Sequence, residues 1–161
     1  MIAVTVVAIL AALASAGLMR SRLASNEASA ISSVRTVNSA QASYAASCGR
    51  GGYAQGLEDL SLEPDGGVPF IAPDLAEDGV MKSGYRFSLD DGTDMTVVLA
   101  ADATCNGSAE DAVATYYVHG EPVVAGITGQ RSFGSDHSGT IYQQLDGEEV
   151  GNTFASATPL K

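Results

Sequence analysis

The segment MIAVTVVAILAALASAGLMRSR (residues 1–22) determines how the rest of the chain is organised. Nineteen residues precede the first charged side chain, Arg20, and most of them are Ala, Val, Ile or Leu. A helix needs about 20 mostly apolar residues to cross a bilayer, so this run just reaches spanning length. Three roles are compatible with it: a secretory signal, a membrane anchor, or a packing element.

The helical pattern continues past the apolar run without a break. Residues 1–48 contain no proline and a single glycine, Gly17. Apolar side chains then recur at steps of three and four, which marks one face of a helix; this stripe consists of Val34, Val37, Ala40, Tyr44 and Cys48. The glycines that follow at 49, 51 and 52 are typical of a helix end. We predict one helix over about 1–48, roughly 70 Å long at ~1.5 Å per residue.

A signal peptide fits the first segment less well than an anchor does. Signal peptides start with basic residues and have a shorter apolar core, although the ASA at 14–16 resembles a cleavage site. For an anchor, Arg20 and Arg22 would place the rest of the chain in the cytoplasm. The even pair of cysteines, Cys48 and Cys105, instead favours an oxidising compartment and a disulfide over two free thiols. A basic leader upstream of Met1 would reconcile the cytoplasmic location that the arginines indicate with the oxidising compartment that the cysteines indicate.

The remainder of the chain is strongly acidic. The formal net charge is -11, and eighteen of the nineteen acidic residues follow residue 50, Glu27 being the exception. Such a charge excludes attraction to a phosphate backbone, so we expect no nucleic-acid partner. The two histidines have no ligand spacing with the cysteines, so we also expect no metal site and no cofactor.

Residues 81–145 show strand patterns. Before them, residues 50–80 form a long connection rich in Pro and Gly, and after them residues 147–161 are interpreted as a loop. DDGTD (90–94) and GSDHSG (134–139) are each expected to be the turn of a hairpin. The predicted strand segments are 83–89, 95–102, 114–118, 131–133 and 140–145. The fold class is therefore α+β: the C-terminal half of the helix covers one face of an antiparallel sheet of three to five strands.

No sequence motif indicates an enzyme. The adjacent Ser, Asp and His of SDHS (135–138) diverge along a turn and cannot easily converge as a triad. DDGTD superficially resembles a calcium loop but lacks the glutamate at loop position twelve. We interpret both as turns and expect no catalytic residue.

Several segments resemble the type IV pilins and the pseudopilins of type II secretion systems. AILAALA (8–14), NEASA (26–30), KSGYRFSL (82–89) and GQRSFGSDHSGTIYQ (129–143) carry the resemblance. It implies a pilin-like fold divided into an apolar half of the helix, residues 1–22, and a globular part, residues 23–161. It also implies that the families' first mature residues, including a glutamate that pairs with a neighbour's amine, lie upstream of Met1.

The resemblance further implies two kinds of site in the first helix half. Filament-core packing would involve eight residues: Ile2, Val4, Val6, Val7, Ile9, Leu10, Leu13 and Leu18. The helix-interrupting proline of these families corresponds to Ala16, beside Gly17, so local melting in a filament would centre on Ser15–Gly17. Glycine is a weaker breaker, costing about 1 kcal/mol relative to alanine.

The expected function is that of a structural subunit, the major pilin of a type IV pilus. Its partners would be copies of itself, the membrane before assembly, and an inner-membrane assembly machinery. It would move from the inner membrane to a filament on the cell surface. The alternatives are a type II secretion pseudopilin and, in another class, a membrane-anchored periplasmic binding module. A tether normally joins its domain through a flexible linker, so the unbroken helix counts against the last.

Overall fold

A computed structural model describes the backbone of residues 2–160 and the side chains of residues 17–160. One long helix, α1, spans Ile2–Ser47, as the sequence predicts. It ends where the N–H of Gly51 donates to the carbonyl of Ala45 at 2.8 Å. Arg50 and Gly51 both have positive φ there, 51° and 94°, and such left-handed residues commonly terminate helices.

Six strands form the main sheet, one more than the upper limit of the sequence prediction. In spatial order they are β1 (Val80–Lys82), β2 (Tyr85–Asp91), β5 (Tyr116–Pro122), β6 (Ser132–Asp136), β7 (Ile141–Gln144) and β8 (Thr158–Pro159), and every neighbouring pair is antiparallel. A separate two-stranded sheet pairs β3 (Val97–Leu99) with β4 (Ala112–Val113). The two edge strands β1 and β8 contain three and two residues, too few for an alternating pattern to predict them.

The first predicted hairpin is wrong, and the second is confirmed. β2 pairs with β5 over seven residues, from Tyr85 opposite Pro122 to Asp91 opposite Tyr116, so the segment after DDGTD is displaced into the small sheet. The long ladder satisfies more backbone groups than a local hairpin would, because β3 contains three residues. β6 and β7 do form a hairpin, and residues 137–140 connect them.

The main core lies between α1 and one face of the sheet. α1 packs across β5, β6 and β7, and the predicted helix stripe is fully buried there, with Val34, Val37 and Tyr44 at zero exposure. From the sheet, Tyr85, Phe87 and Phe133 fill the same core. The helix-on-sheet arrangement predicted for residues 34–48 is therefore confirmed.

The connection over residues 50–80 contains more structure than its Pro and Gly content suggests. A short helix, α2, spans Leu57–Ser61, and a 3-10 turn spans Pro73–Leu75. Leu57, Leu60 and Leu75 are all buried in the main core. The segment therefore forms one wall of the molecule.

The C-terminal tail also differs from the predicted loop. Besides forming β8, it buries Val150 completely and stacks Phe154 on Tyr142 at 4.1 Å between ring centroids. Phe154 also contacts the ring of Tyr117, at 5.9 Å. Tyr117 and Val150 are buried outside the main core cluster. The tail thus covers the sheet face opposite α1.

Candidate functional site: the projecting helix and its junction with the head

The described N-terminal part of α1 lies outside the globular part of the molecule, residues 26–160, which we call the head. All side chains at 17–25 are exposed except the half-buried Leu23. Leu18 and Met19 are each 56% exposed, and Glu27 is the first buried residue among those with a described side chain. α1 therefore leaves the head at about residue 26 with apolar side chains in the open.

The sequence-predicted packing and melting residues are only partly covered by the described side chains. Leu18 is exposed, as a residue that packs in an assembly would be in a single copy. Gly17 has no heavy atom within 4 Å of the position that a Cβ would take, and melting at Ser15–Gly17 stays a prediction. The other predicted residues have side chains outside the described range: Ile2, Val4, Val6, Val7, Ile9, Leu10, Leu13, Ser15 and Ala16.

Within the described residues, no helical stretch combines the length and the apolar character needed to cross a membrane.

Glu27 locks the helix to the head where α1 leaves it. Its Oε1 accepts the backbone N–H groups of Gln130 and Arg131, at 3.0 and 3.2 Å. Its Oε2 accepts the Nε and Nη2 of Arg131, at 2.9 and 2.7 Å. Both guanidinium N–H groups therefore donate to the same oxygen, and hydrogen bonds of this charge-assisted kind are stronger than those between neutral groups. The only acid of the N-terminal segment is thus the partner of Arg131, 104 residues further along the chain.

Two neighbours of Glu27 strengthen this junction. The Nδ2 of Asn26 donates to the carbonyl of Thr128 at 2.8 Å, and the Oγ of Ser29 donates to the Oγ of Ser83 at 2.9 Å. The polar residues of NEASA therefore contact the β1–β2 turn and the segment before β6. Both regions lie within, or directly beside, segments on which the sequence resemblance rests.

Polar side chains in the middle of α1 fix its rotation on the sheet. Gln41 is fully buried and exchanges two hydrogen bonds with the backbone of Ala54, at 2.7 and 3.0 Å. Asn38 donates to Ser135 at 2.8 Å and accepts from Tyr116 at 3.0 Å. Rotating or sliding the helix would leave these groups unpaired, which costs about 1–3 kcal/mol for each buried group.

The predicted disulfide closes the other end of the head. Cys48, directly after α1, is bonded to Cys105, 57 residues away in sequence. Beside the bridge, the hydroxyls of Tyr44 and Ser108 form a 2.9 Å hydrogen bond that also joins α1 to the segment after Cys105. Glu27 and Cys48 are about 30 Å apart along the helix at ~1.5 Å per residue. The head therefore holds α1 at both ends of its buried half, so the projecting part continues a rigid element.

An acidic cleft of about 790 Å³ opens on another side of the head. Seven carboxyl side chains line it: Glu58, Asp59, Asp78, Asp90, Asp91, Glu110 and Glu149. Partial burial and the adjacent Glu58 raise the pKa of Asp78 to about 7, although N–H groups of Leu57 and Leu89 donate to this carboxylate. Burial likewise raises the pKa of Asp59. The cleft therefore concentrates negative charge, which backbone N–H groups and the raised pKa values of Asp59 and Asp78 reduce only in part.

His119 is buried behind two residues that line this cleft, Asp90 and Tyr117. Its Nε2 donates to Asp90 at 2.7 Å and its Nδ1 donates to Glu121 at 3.0 Å. Burial alone would lower the pKa of His119, but the hydrogen bonds to Glu121 and Asp90 outweigh it and raise that pKa. The imidazole ring stacks on Tyr117, with 5.2 Å between the centroids and 9° between the planes.

The sequence alone does not predict this cluster. Asp90, His119 and Glu149 come from β2, β5 and the tail, and each offers a ligand atom within 4.8 Å of the others. Alternation along β5 places Tyr117, His119 and Glu121 on one face. The pairing of β2 with β5, however, was not predicted, and it is this pairing that places Asp90 opposite Tyr117.

These features define an α+β protein whose long helix is locked to a disulfide-bridged head and projects beyond it. No protein-family model, curated protein or solved structure matches the chain.

Proposed function

We propose that the protein is a structural subunit that polymerises through α1 into a filament on the cell surface, as the major pilin of a type IV pilus. One observation supports this most directly: α1 leaves the head as an unbroken, rigidly held helix that exposes Leu18 and Met19. A flexible tether to a binding module needs neither the continuity nor the double lock at Glu27 and Cys48.

The proposed interaction is hydrophobic. Burying an exposed Leu or Met side chain fully stabilises an assembly by about 1.5–3 kcal/mol. Each copy would pack its helix against those of neighbours, and a repeated heterologous contact of this kind builds an open helical polymer. Before assembly the same apolar segment would lie in the inner membrane, from which an assembly machinery would extract it.

The acidic head suits the outside of such a filament. The acidic residues lie almost entirely after residue 50, so charge is segregated from the apolar helix half. A net charge of -11 on each copy would keep the polymer soluble and discourage lateral aggregation.

A matched pair of variants tests the proposal in cells that express the full chain. Leu18→Asp places a charge on the projecting helix, and Val68→Asp makes the same chemical change on a head loop, where Val68 is 77% exposed. Surface filaments are sheared off and analysed by mass spectrometry, with total protein measured by immunoblot. We expect wild type and Val68→Asp in the filaments, and Leu18→Asp strongly depleted at equal cellular level.

Absence of the wild-type chain from sheared filaments would contradict the pilus. If the chain instead enters short periplasmic filaments, it is a secretion pseudopilin. If both variants enter filaments equally well, the projecting helix is not the element through which the subunits assemble.

A further inference from the structure

The face of the sheet that the tail covers contains a group of polar side chains that filament assembly does not need. Tyr117 and His119 are both buried on this face of β5. Glu149 reaches them from the tail, and Asp90 lies opposite Tyr117 on β2. Three separate segments therefore converge on one point of the acidic cleft.

His119 is oriented as metal-binding histidines are. Glu121 holds Nδ1 at 3.0 Å, which leaves Nε2 directed at the carboxylate of Asp90, 2.7 Å away. A carboxylate on the far nitrogen fixes the ring and raises the basicity of the ligating nitrogen. The buried ring thus directs one nitrogen, in a fixed orientation, at Asp90, which lines the cleft.

Tyr117 provides a second, independent observation. It is 3% exposed, and its hydroxyl has no hydrogen-bond partner within the described part of the chain. Tyr117 lines the same cleft as Asp90 and Glu149. A water molecule bound to a metal ion between those two carboxylates would give this buried hydroxyl a hydrogen-bond partner.

We propose that Asp90, His119 and Glu149 form a mononuclear site for a divalent transition metal, and that Zn²⁺ fits the donor set best. One imidazole nitrogen and two carboxylate oxygens are common zinc ligands, and a water would complete four-coordination. Ca²⁺ and Mg²⁺ prefer oxygen-only ligand sets, whereas imidazole favours transition metals. The ion would replace the proton between Nε2 and Asp90, while Nδ1 remains bonded to Glu121.

The geometry needs only side-chain adjustment. Ligand atoms around a tetrahedral zinc at ~2 Å lie ~3.3 Å from one another, against a present spread of up to 4.8 Å. The Asp90 side chain is 57% exposed and Glu149 is exposed as well, so both can rotate while His119 stays fixed. The bound ion would clamp the tail to strands β2 and β5.

Titration calorimetry of ZnCl₂ into the chelator-treated full chain tests the site, with CaCl₂ and MgCl₂ as comparison probes. We expect one Zn²⁺ per chain, bound at least tenfold more tightly than Ca²⁺ or Mg²⁺. Glu149→Gln should weaken zinc binding at least tenfold, whereas Glu148→Gln, an adjacent exposed residue, should change it less than twofold.

A second pair of variants separates ligation from folding. His119→Gln should abolish tight zinc binding, and His137→Gln, on the β6–β7 turn, should not. Circular dichroism establishes that each variant is folded, and if His119→Gln is unfolded the Glu149 pair decides alone. Zinc binding that is insensitive to Glu149→Gln, or no tighter than calcium binding, would overturn the proposal and leave only diffuse attraction to an acidic surface. These outcomes do not depend on whether the chain forms filaments.

Discussion

Replacing Glu27 with alanine should release the helix from the head at the point where α1 leaves it. The buried carboxylate of Glu27 accepts four hydrogen bonds, two from backbone N–H groups and two from the guanidinium of Arg131. Removing one partner of a buried ion pair costs about 3–5 kcal/mol. Because the Arg131 side chain is 32% exposed, water compensates part of this loss, and we expect a loss of about 2–3 kcal/mol.

Urea unfolding of the full chain, followed by far-ultraviolet circular dichroism, measures the loss. Arg35→Ala is the matched control, because Arg35 is an exposed charged residue on the same helix and should change the free energy of unfolding by less than about 0.5 kcal/mol. The double variant Glu27→Ala/Arg131→Ala should be more stable than the sum of the single losses predicts, since the two residues interact directly.

Hydrogen exchange locates the effect. In Glu27→Ala, amides at the start of the buried half of α1 should exchange faster, whereas those near the disulfide should not, because that end stays locked. A loss below about 0.5 kcal/mol, or strict additivity in the double variant, would refute the claim that this pair locks the helix.

Three further predictions concern the head. The double variant Cys48→Ser/Cys105→Ser should lose about 4 kcal/mol in urea unfolding, because the bridge spans 57 residues and constrains the unfolded chain; a loss below about 1 kcal/mol would contradict this. Gly120→Ala should destabilise by about 1–3 kcal/mol, since its Cβ would lie 2.6 Å from Cε1 of Phe87; an unchanged melting temperature would show that the ring moves freely. The pKa of Asp78 is about 7 in the folded chain and near 3.9 in the unfolded chain. Between these pH values the folded chain binds more protons than the unfolded chain, so this carboxyl lowers the free energy of unfolding progressively as the pH rises from about 4 to 7. Asp78→Asn should flatten that fall in urea midpoints, and an unchanged slope would exclude Asp78 as its source.

The helical part of the fold could be predicted because its signal is local. The steps of three and four between residues 34 and 48 describe a face that the structure buries completely or nearly so, and the glycines at 49–52 end the helix where expected. Gln41 lies on the same side and is buried too. The helical pattern places Gln41 on the buried face. It cannot identify Ala54 as the residue whose backbone forms hydrogen bonds with the Gln41 side chain.

The sheet order could not be predicted because its decisive contacts are long-range. DDGTD is a good local turn signal, yet the seven-residue ladder between β2 and β5 takes precedence over the hairpin it indicates. The tail carries two isolated apolar residues, Val150 and Phe154, in a polar context. Neither a regular spacing of apolar residues nor a long apolar run indicates that these two cover the sheet. Turn chemistry is visible over a few residues, whereas strand partners are chosen by the whole core.

The Glu27 junction and the Asp90–His119–Glu149 cluster could not be predicted for the same reason, because their residues are far apart in the sequence. Glu27 is conspicuous in the sequence as the only acid before Glu58, but its partner Arg131 is 104 residues away. Asp90, His119 and Glu149 lack the close spacing that makes metal motifs recognisable. Only the sheet register and the course of the tail bring them together.

If the projecting part of α1 makes the contact between copies in a filament, photo-crosslinking should capture that contact. A photoreactive residue is introduced at position 18, or at position 68 as the control, and cells are irradiated during filament assembly. We predict a ladder of crosslinked multimers of this chain from position 18 and none from position 68. The absence of a self-crosslink at position 18, in cells that carry filaments of this chain, would show that subunits do not touch through the projecting helix.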